Sequence, residues 1–321
     1  MLIINILLII LGMALLLKGG DMLVDGSSSL ARRFKVSELA IGLTVVAFGT
    51  SAPELVVSLS ASIGSHPEIA FGNVIGSNNL NLLFILGITG LLAPVAVQKN
   101  TVRIEIPFSL LSAIILLFLA NFAILSGERN ILSRIDGIIL FLFFVLFLFY
   151  VYAGMKKNEI VDEASSAISF SSGKSLLFVI LGLAFLVSGG KLVVNSAVIL
   201  AQAFNISEKI IGLTIIAAGT SLPELITSIT AVIKKRDDIA IGNIIGSNIF
   251  NIFLVLGVSA IARPMEYSLV FNKDIYLLIF GNLLLFLAMF TGKKRTLDRW
   301  EAAILVSLYV GYVIYLIMRS E

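Results

Sequence analysis

Glu54 follows a proline in the run Gly49-Thr50-Ser51-Ala52-Pro53-Glu54, and Glu224 holds the same place in Gly219-Thr220-Ser221-Leu222-Pro223-Glu224. Both runs sit inside long apolar stretches. A carboxylate near the middle of a bilayer costs about 2.5–3.5 kcal/mol on insertion scales, so two in matching surroundings point to chemistry and not to anchoring. Their neighbours say which chemistry. Pro53 has no N–H, so the carbonyl of Gly49 should lose its helical partner, and the ring should bend the backbone there. Orphan carbonyls are tolerated in hydrocarbon only where they line a polar cavity or are otherwise satisfied. A bound cation would satisfy them. Ala47, Thr50, Ser51 and Glu54 follow one another at steps of three, one and three, so their carbonyls, hydroxyls and carboxylate can converge.

A second stretch, Gly72-Asn73-Val74-Ile75-Gly76-Ser77-Asn78-Asn79-Leu80-Asn81, supplies another wall. Ser77 and Asn81 are one helical turn apart and share a face. Gly72 and Gly76 would let two helix backbones approach closely. Their counterparts are Gly242, Gly246, Ser247 and Asn251. Interhelical hydrogen bonding is the expected role of Asn73, Asn78, Asn243 and Asn248. Ligation is expected of Ser77, Asn81, Ser247 and Asn251, because the carboxylates need counter-ions. The pooled set is two carboxylates, amide oxygens, free carbonyls and the hydroxyls of Thr50, Ser51, Thr220 and Ser221. All are hard oxygen donors, which suits Ca²⁺, with its roughly 6–8 oxygen ligands, and also Na⁺, but not zinc or copper. Competition of the two ions for the same carboxylates is enough to make an exchanger, and an empty site would leave two buried charges.

Composition fixes the surroundings of that site. Of 321 residues, 58% are hydrophobic and only 13% charged, so the chain cannot cover itself with polar surface and reads as a polytopic membrane protein. The net charge of +3 is spread over short loops and says little about nucleic acid. There is no cysteine, hence neither a disulfide nor a thiolate metal site. Ten spans are expected, at 2–30, 38–62, 68–92, 104–124, 134–154, 175–203, 208–232, 238–262, 273–291 and 299–318. The first is read as a retained helix and not a signal peptide.

The two sets of five are copies. A shift of 170 residues lays 41–90 on 211–260 without a gap, with about half of the positions identical. Five spans is an odd number, so the second copy must insert upside down, as in secondary transporters that alternate access around a central site. The chain therefore divides into 1–155, a Ser-rich cytoplasmic linker at 156–174, and 175–321. With the N-terminus outside, inner loops hold Arg32, Arg33, Lys35, Lys99, Arg103, Lys156, Lys157, Lys174, Lys234, Lys235, Arg236, Lys293, Lys294, Arg295 and Arg299. Outer segments hold only Arg129, Arg134, Lys209, Arg263, Lys273 and Arg319. That imbalance follows the positive-inside rule and puts both termini outside, with the cell membrane the expected location.

These blocks resemble the two α-repeats of the sodium/calcium exchanger family, and the resemblance runs over essentially the whole chain. It implies an all-α membrane protein of ten transmembrane helices in two inverted five-helix repeats, with the first and sixth helices sliding as a gate. It implies Na⁺/Ca²⁺ exchange, with H⁺/Ca²⁺ exchange on the same fold as the alternative. By position it makes Glu54 and Glu224 shared Ca²⁺ ligands together with the Thr50 and Thr220 carbonyls. Ala47, Ser51 and Ser77 would build one Na⁺ site, and Ala217, Ser221 and Ser247 the opposite one. Members that also carry K⁺ tend to have an acidic residue at one of the positions of Asn81 and Asn251, and some K⁺-independent members have Asp there; both are amides here, leaving two central carboxylates instead of three. The implied partners are the lipid bilayer and the transported Na⁺ and Ca²⁺, with no cofactor, nucleic acid or required protein partner.

A passive channel is disfavoured by the deep charged site between repeats. An intramembrane enzyme is disfavoured because no HExxH, no Ser/His pair at depth and no aspartate dyad occur; Asp136, Asp274 and Asp298 fall near span ends. Lys18, Asp21 and Asp25 are spaced to pair on one face or snorkel, and His66 is expected in solvent.

Overall fold

Apolar runs of bilayer length can satisfy their own backbone away from water only as helices. The computed structural model of the chain is built from such helices; it describes residues 2–121, 130–155, 170–203 and 217–319. The helices are α1 (Leu2–Arg33), α2 (Glu38–Thr50), α3 (Ala52–Ile63), α4 (Pro67–Leu92), α5 (Thr101–Asn121) and α6 (Arg134–Met155). After the linker come α7 (Ser172–Ala203), α8 (Ala217–Thr220), α9 (Leu222–Ile233), α10 (Asp237–Ala262), α11 (Asn272–Ala288) and α12 (Arg299–Arg319). Among the described residues eight helices are long and apolar enough to cross a bilayer, or nine if α2 and α3, bent by 48° at their break, form one span. The segment 208–216, expected to open the span that α9 completes, and 156–169 of the linker lie outside the described residues.

Several expected bounds shift. The first helix runs on to Arg33, the fourth expected span starts at Thr101, the sixth starts at Ser172, and the ninth ends at Ala288. Hydropathy sees where the apolar stretch ends, whereas the helix continues through polar turns that can still close their hydrogen bonds. Nor is the chain wholly α-helical. Strand β1 (Val95–Ala96) pairs antiparallel with β4 (Thr296–Leu297), and β2 (Ile131–Leu132) with β3 (Met265–Glu266). The cause is local. Ala93 and Arg263, each before a proline, leave their helices extended at φ −149° and −150°. The extended backbone beyond them pairs with a neighbouring loop.

The loops gather at two ends of the helix bundle. At one end Arg236 bonds Glu38 at 3.0 Å, Ala96 N donates to Asp237 at 3.0 Å, and β1 pairs with β4. At the other, Arg263 donates to the Ile63 carbonyl at 3.0 Å, Ser62 to the Ser259 carbonyl at 2.8 Å, and β2 pairs with β3. Asp21 and Asp25 of α1 pair with Lys234, at 3.0 and 2.9 Å, beside the first end. His66 is exposed, as expected.

The most deeply buried spans are α4 and α10, which carry the asparagines and form the centre. The long pair α1 and α7 lies along the outside with large apolar side chains facing outward, Ile3 at 73% exposure among them. Its two helices touch through glycine. Gly12, Gly19 and Gly26 meet Gly189, Gly182 and Ser175, each set at seven-residue spacing, so closely that an added Cβ would lie 2.7–2.9 Å from the facing carbonyl oxygens. In lipid, where apolar side chains gain nothing by leaving one apolar medium for another, such backbone contact is what holds helices together.

Candidate ion-binding site

The two proline-glutamate segments break their helices before the proline and not at it. Ser51, at φ −81° and ψ 3°, separates α2 from α3, and Ser221, at φ −91° and ψ 8°, separates α8 from α9. New ladders start there, with Leu55 N donating to Ser51 O at 3.1 Å and Leu225 N to Ser221 O at 3.0 Å. Pro53 and Pro223 fall in the first turn of the new helices, where a missing N–H costs nothing. The bend expected from proline is therefore a restart. It sets Glu54 and Glu224 in the first turns of α3 and α9, where a helix N-terminus favours negative charge.

Both glutamates are wholly buried, and each accepts a hydrogen bond from the other half of the chain. Ser51 Oγ donates to Glu224 Oε1 at 3.2 Å, and Ser221 Oγ to Glu54 Oε1 at 3.2 Å. Thr50 donates to Asn243 Oδ1 at 3.0 Å, and Thr220 to Asn73 Oδ1 at 3.4 Å. The same asparagines hold the backbone of the glutamates. Asn73 Nδ2 reaches the Glu54 carbonyl at 3.3 Å and Ser58 Oγ at 2.9 Å, while Asn243 Nδ2 reaches the Glu224 carbonyl at 3.4 Å and Ser228 Oγ at 3.0 Å. Asn78 and Asn248 tie α4 to α10 by donating to each other's carbonyls at 3.1 and 3.3 Å.

Several polar atoms in this cluster, all but one of them oxygens, lack partners. The Oε2 atoms of Glu54 and Glu224, Ser77 Oγ, both polar atoms of Asn81 and Oδ1 of Asn251 are buried and without hydrogen bonds. Asn251 Nδ2 donates to Asn78 Oδ1 at 3.0 Å, which leaves its oxygen as the free end. Ser247 reaches Glu224 Oε1 at 3.5 Å, whereas Ser77 makes no such bond. Among the described residues no Lys, Arg or His pairs with either glutamate. A charged carboxylate buried without a counter-charge is costly, so the arrangement is complementary to cations and, with only oxygen offered, to hard ones.

The remaining expected ligands sit less openly. The Ala47 carbonyl accepts from Ser51 N at 3.0 Å, and Thr50 Oγ1, whose one proton goes to Asn243 at the shorter distance, lies 3.4 Å away, so a lone pair of Ala47 stays open. Ala217 opens α8, and its side chain is outside the described set. Ser58 and Ser228 carry no motif that marks them. Each lies four residues after its glutamate in both copies, and the 170-residue repeat is the one signal that pairs them. Neither do the loosened π-turns at Leu80–Ile85 and Asn251–Leu256, which carry Asn81 and Asn251, show in residue spacing. Such turns recur at functional sites because they shift the side chains that follow.

Known proteins bear on this geometry. A family model described as sodium/calcium exchanger protein matches residues 4–153 and 174–318. The putative antiporter CaxA of Alkalimonas amylolytica is 38% identical over 317 residues, covering 97% of this chain and 98% of its own. The sodium/calcium exchanger MaX1 of Methanosarcina acetivorans is 32% identical over 351 residues, with 98% and 99% covered. Among solved structures, the sodium-calcium exchanger NCX_Mj soaked with zero Na⁺ and Ca²⁺ superposes with a TM-score of 0.84 at 33% identity, covering 98% of this chain and 100% of that one.

Proposed function

The chain belongs to the sodium/calcium exchanger family, an integral membrane antiporter family, and from that premise we propose that it exchanges Na⁺ for Ca²⁺ by alternating access. The observation that carries the proposal is the pair of buried glutamates, each bonded on one oxygen by a serine from the opposite half and free on the other. In this reading Ca²⁺ sits between Glu54 and Glu224, whose two charges balance it. Thr50 and Thr220 contribute carbonyl oxygens. Na⁺ ions take the flanking positions, one built from Ala47, Ser51 and Ser77 beside Glu54, the other from Ala217, Ser221 and Ser247 beside Glu224, with Asn81 and Asn251 closing the set.

The proposed frame is ten spans in two inverted repeats, 1–155 and 175–321, joined by a cytoplasmic linker at 156–174, in the cell membrane with both termini outside. Its support is positional. The loop at 93–100 and its counterpart 170 residues later, 263–270, fall at opposite ends of the bundle, as do 64–66 and 234–236. The outer pair α1 and α7, sealed by glycine against itself, is the part free to move as one body across the core.

The test is flux in proteoliposomes. Vesicles loaded with Na⁺ and diluted into Na⁺-free buffer should accumulate Ca²⁺, and Glu54→Gln or Glu224→Gln should stop it. Uptake driven by a pH gradient and indifferent to Na⁺ would assign the coupling to protons. Single-channel current steps would assign a channel.

A further inference from the structure

Glu105 is a buried carboxylate that the central site does not use. It lies at the start of α5, is 2% exposed, and accepts a hydrogen bond from Tyr150 of α6 on Oε1 at 2.5 Å. Its Oε2 is buried with no hydrogen-bond partner, and among the described residues no basic side chain pairs with it. Beside it is a cavity of about 40 Å³ between the start of α2 and the ends of α5 and α6, lined by Glu105, Tyr150, Gln98, Asn100 and Ser37. A water needs roughly 10–15 Å³ of such space, so the cavity has room for a small ion with one or two waters.

The polar residues lining this space offer lone pairs to it. Tyr150 spends its one proton on Glu105, leaving lone pairs. Gln98 spends amide hydrogen on Asp238 at 2.5 Å, leaving its Oε1. Ser37 accepts from Ala40 N at 3.1 Å and has a further lone pair. Neutral water brings two protons to such a set and no charge, so an ionised Glu105 would stay uncompensated. A cation answers both the oxygens and the charge. Glu105 is the one carboxylate lining the cavity, Asp238 standing behind Gln98, so one unit of charge is balanced there, and a divalent ion would leave a surplus beside Leu39, Leu43 and Val151.

We propose that this cavity binds a single monovalent alkali cation, with Glu105 as its charged ligand and Tyr150 and Gln98 as neutral ones. The site is separate from the central glutamates and fastens the first turns of α2 to α5 and α6. It takes its ion from the end of the bundle where Arg236 meets Glu38.

The experiment uses the full chain carrying Glu54→Gln and Glu224→Gln, so that the central carboxylates are neutral. Thermal unfolding is followed as NaCl or KCl replaces choline chloride at constant ionic strength. A saturable rise of ~2–4 °C is expected, and adding Glu105→Gln, which keeps the shape and the Tyr150 bond, should remove it. Crystals soaked in Tl⁺ should give an anomalous peak between Glu105 and Gln98 that Glu105→Gln abolishes. A midpoint indifferent to alkali cations, or a rise that survives Glu105→Gln, overturns the proposal. A larger Glu105-dependent rise with CaCl₂ overturns the monovalent assignment. Should Glu105→Gln not fold, Gln98→Leu serves instead: about tenfold weaker cation dependence is expected for a lost ligand, and unchanged dependence overturns it.

Discussion

Gly182→Ala should separate the two long outer helices. The new Cβ would stand 2.7 Å from Leu23 N, 2.9 Å from Gly19 O and 3.0 Å from Leu23 Cα, all backbone atoms that cannot turn aside. Restoring ordinary contact requires the axes to part by about 0.5–1 Å, and a gap of that size forfeits a quarter to a half of each dispersion contact. At about 0.1–0.2 kcal/mol per atom pair, over some tens of pairs along the seam, the loss is on the order of 1–3 kcal/mol, the usual range for overpacking. Gly311 of α12 has nothing within 4 Å of a built Cβ, so Gly311→Ala should be neutral or slightly stabilising through helix propensity.

The assay is reversible unfolding of the full chain in mixed micelles, with the two variants read against each other. Adding Gly189→Ala, whose Cβ would lie 2.7 Å from Gly12 O, tests the cause of the loss. Helices already pushed apart by the first alanine have room for the second, so the double variant should cost less than the sum of the singles. Equal tolerance of Gly182→Ala and Gly311→Ala, or strict additivity along the seam, would refute a backbone-contact interface.

Asn243→Ala removes the bonds to Glu224 O, Ser228 and Thr50 from a wholly buried site, and a loss of about 2–4 kcal/mol in unfolding free energy is expected. Asn243→Asp keeps the acceptor for Thr50 while adding a charge near Glu224, and should retain the fold better than it retains Ca²⁺ uptake. Lys234→Met should cost less than about 1 kcal/mol, because its partners Asp21 and Asp25 are half-exposed, and the cost should shrink further in high salt. Ser51→Ala paired with Ser221→Ala should depress Na⁺-dependent Ca²⁺ uptake more than either alone, read as initial rate in Na⁺-loaded vesicles; rates equal to the parent chain would remove the cross-half bonds from the mechanism.

What could be read from the sequence was whatever appears twice. Glu54 and Glu224, with their serines and threonines, stand out because the 170-residue shift repeats them in hydrophobic surroundings. The positions of Asn73 and Asn243 are visible the same way, and their interhelical bonds follow from asparagine's four hydrogen-bonding sites. The restart at Ser51 is not visible, since proline within an apolar run reads equally as a kink or as the first turn of a helix. The π-turns have no residue signature, and the strand pairs depend on which loops meet, which is a tertiary matter. Glycines at 12, 19 and 26 are in plain sight, yet only the antiparallel partner at 189, 182 and 175 reveals them as a seam. Glu105 stands in one copy without a counterpart, so repetition is silent about it.

The cross-half bonds have a consequence for how such a site can move. Each carboxylate is held by a serine that the other half carries, and each threonine by an asparagine that the other half carries. Neither half therefore owns a complete site, and sliding one half past the other would break four bonds, three of them fully buried, around two charges at once. Motion that preserves the site must leave α3, α4, α9 and α10 together and displace what surrounds them. The glycine-sealed pair α1 and α7 would suit that division, because its two helices meet backbone to backbone, whereas α7 meets the core through side chains, Leu183 against Gly49 and Val194 against Gly219. In the proposed alternating access, cations in place would neutralise the carboxylates, and the pair would pass over an uncharged core. Without them it must pass over two unbalanced charges in a medium that penalises each by several kcal/mol. On that proposal obligatory exchange would need no separate gatekeeper, since the same oxygens that hold the ion would decide whether the moving helices meet a barrier.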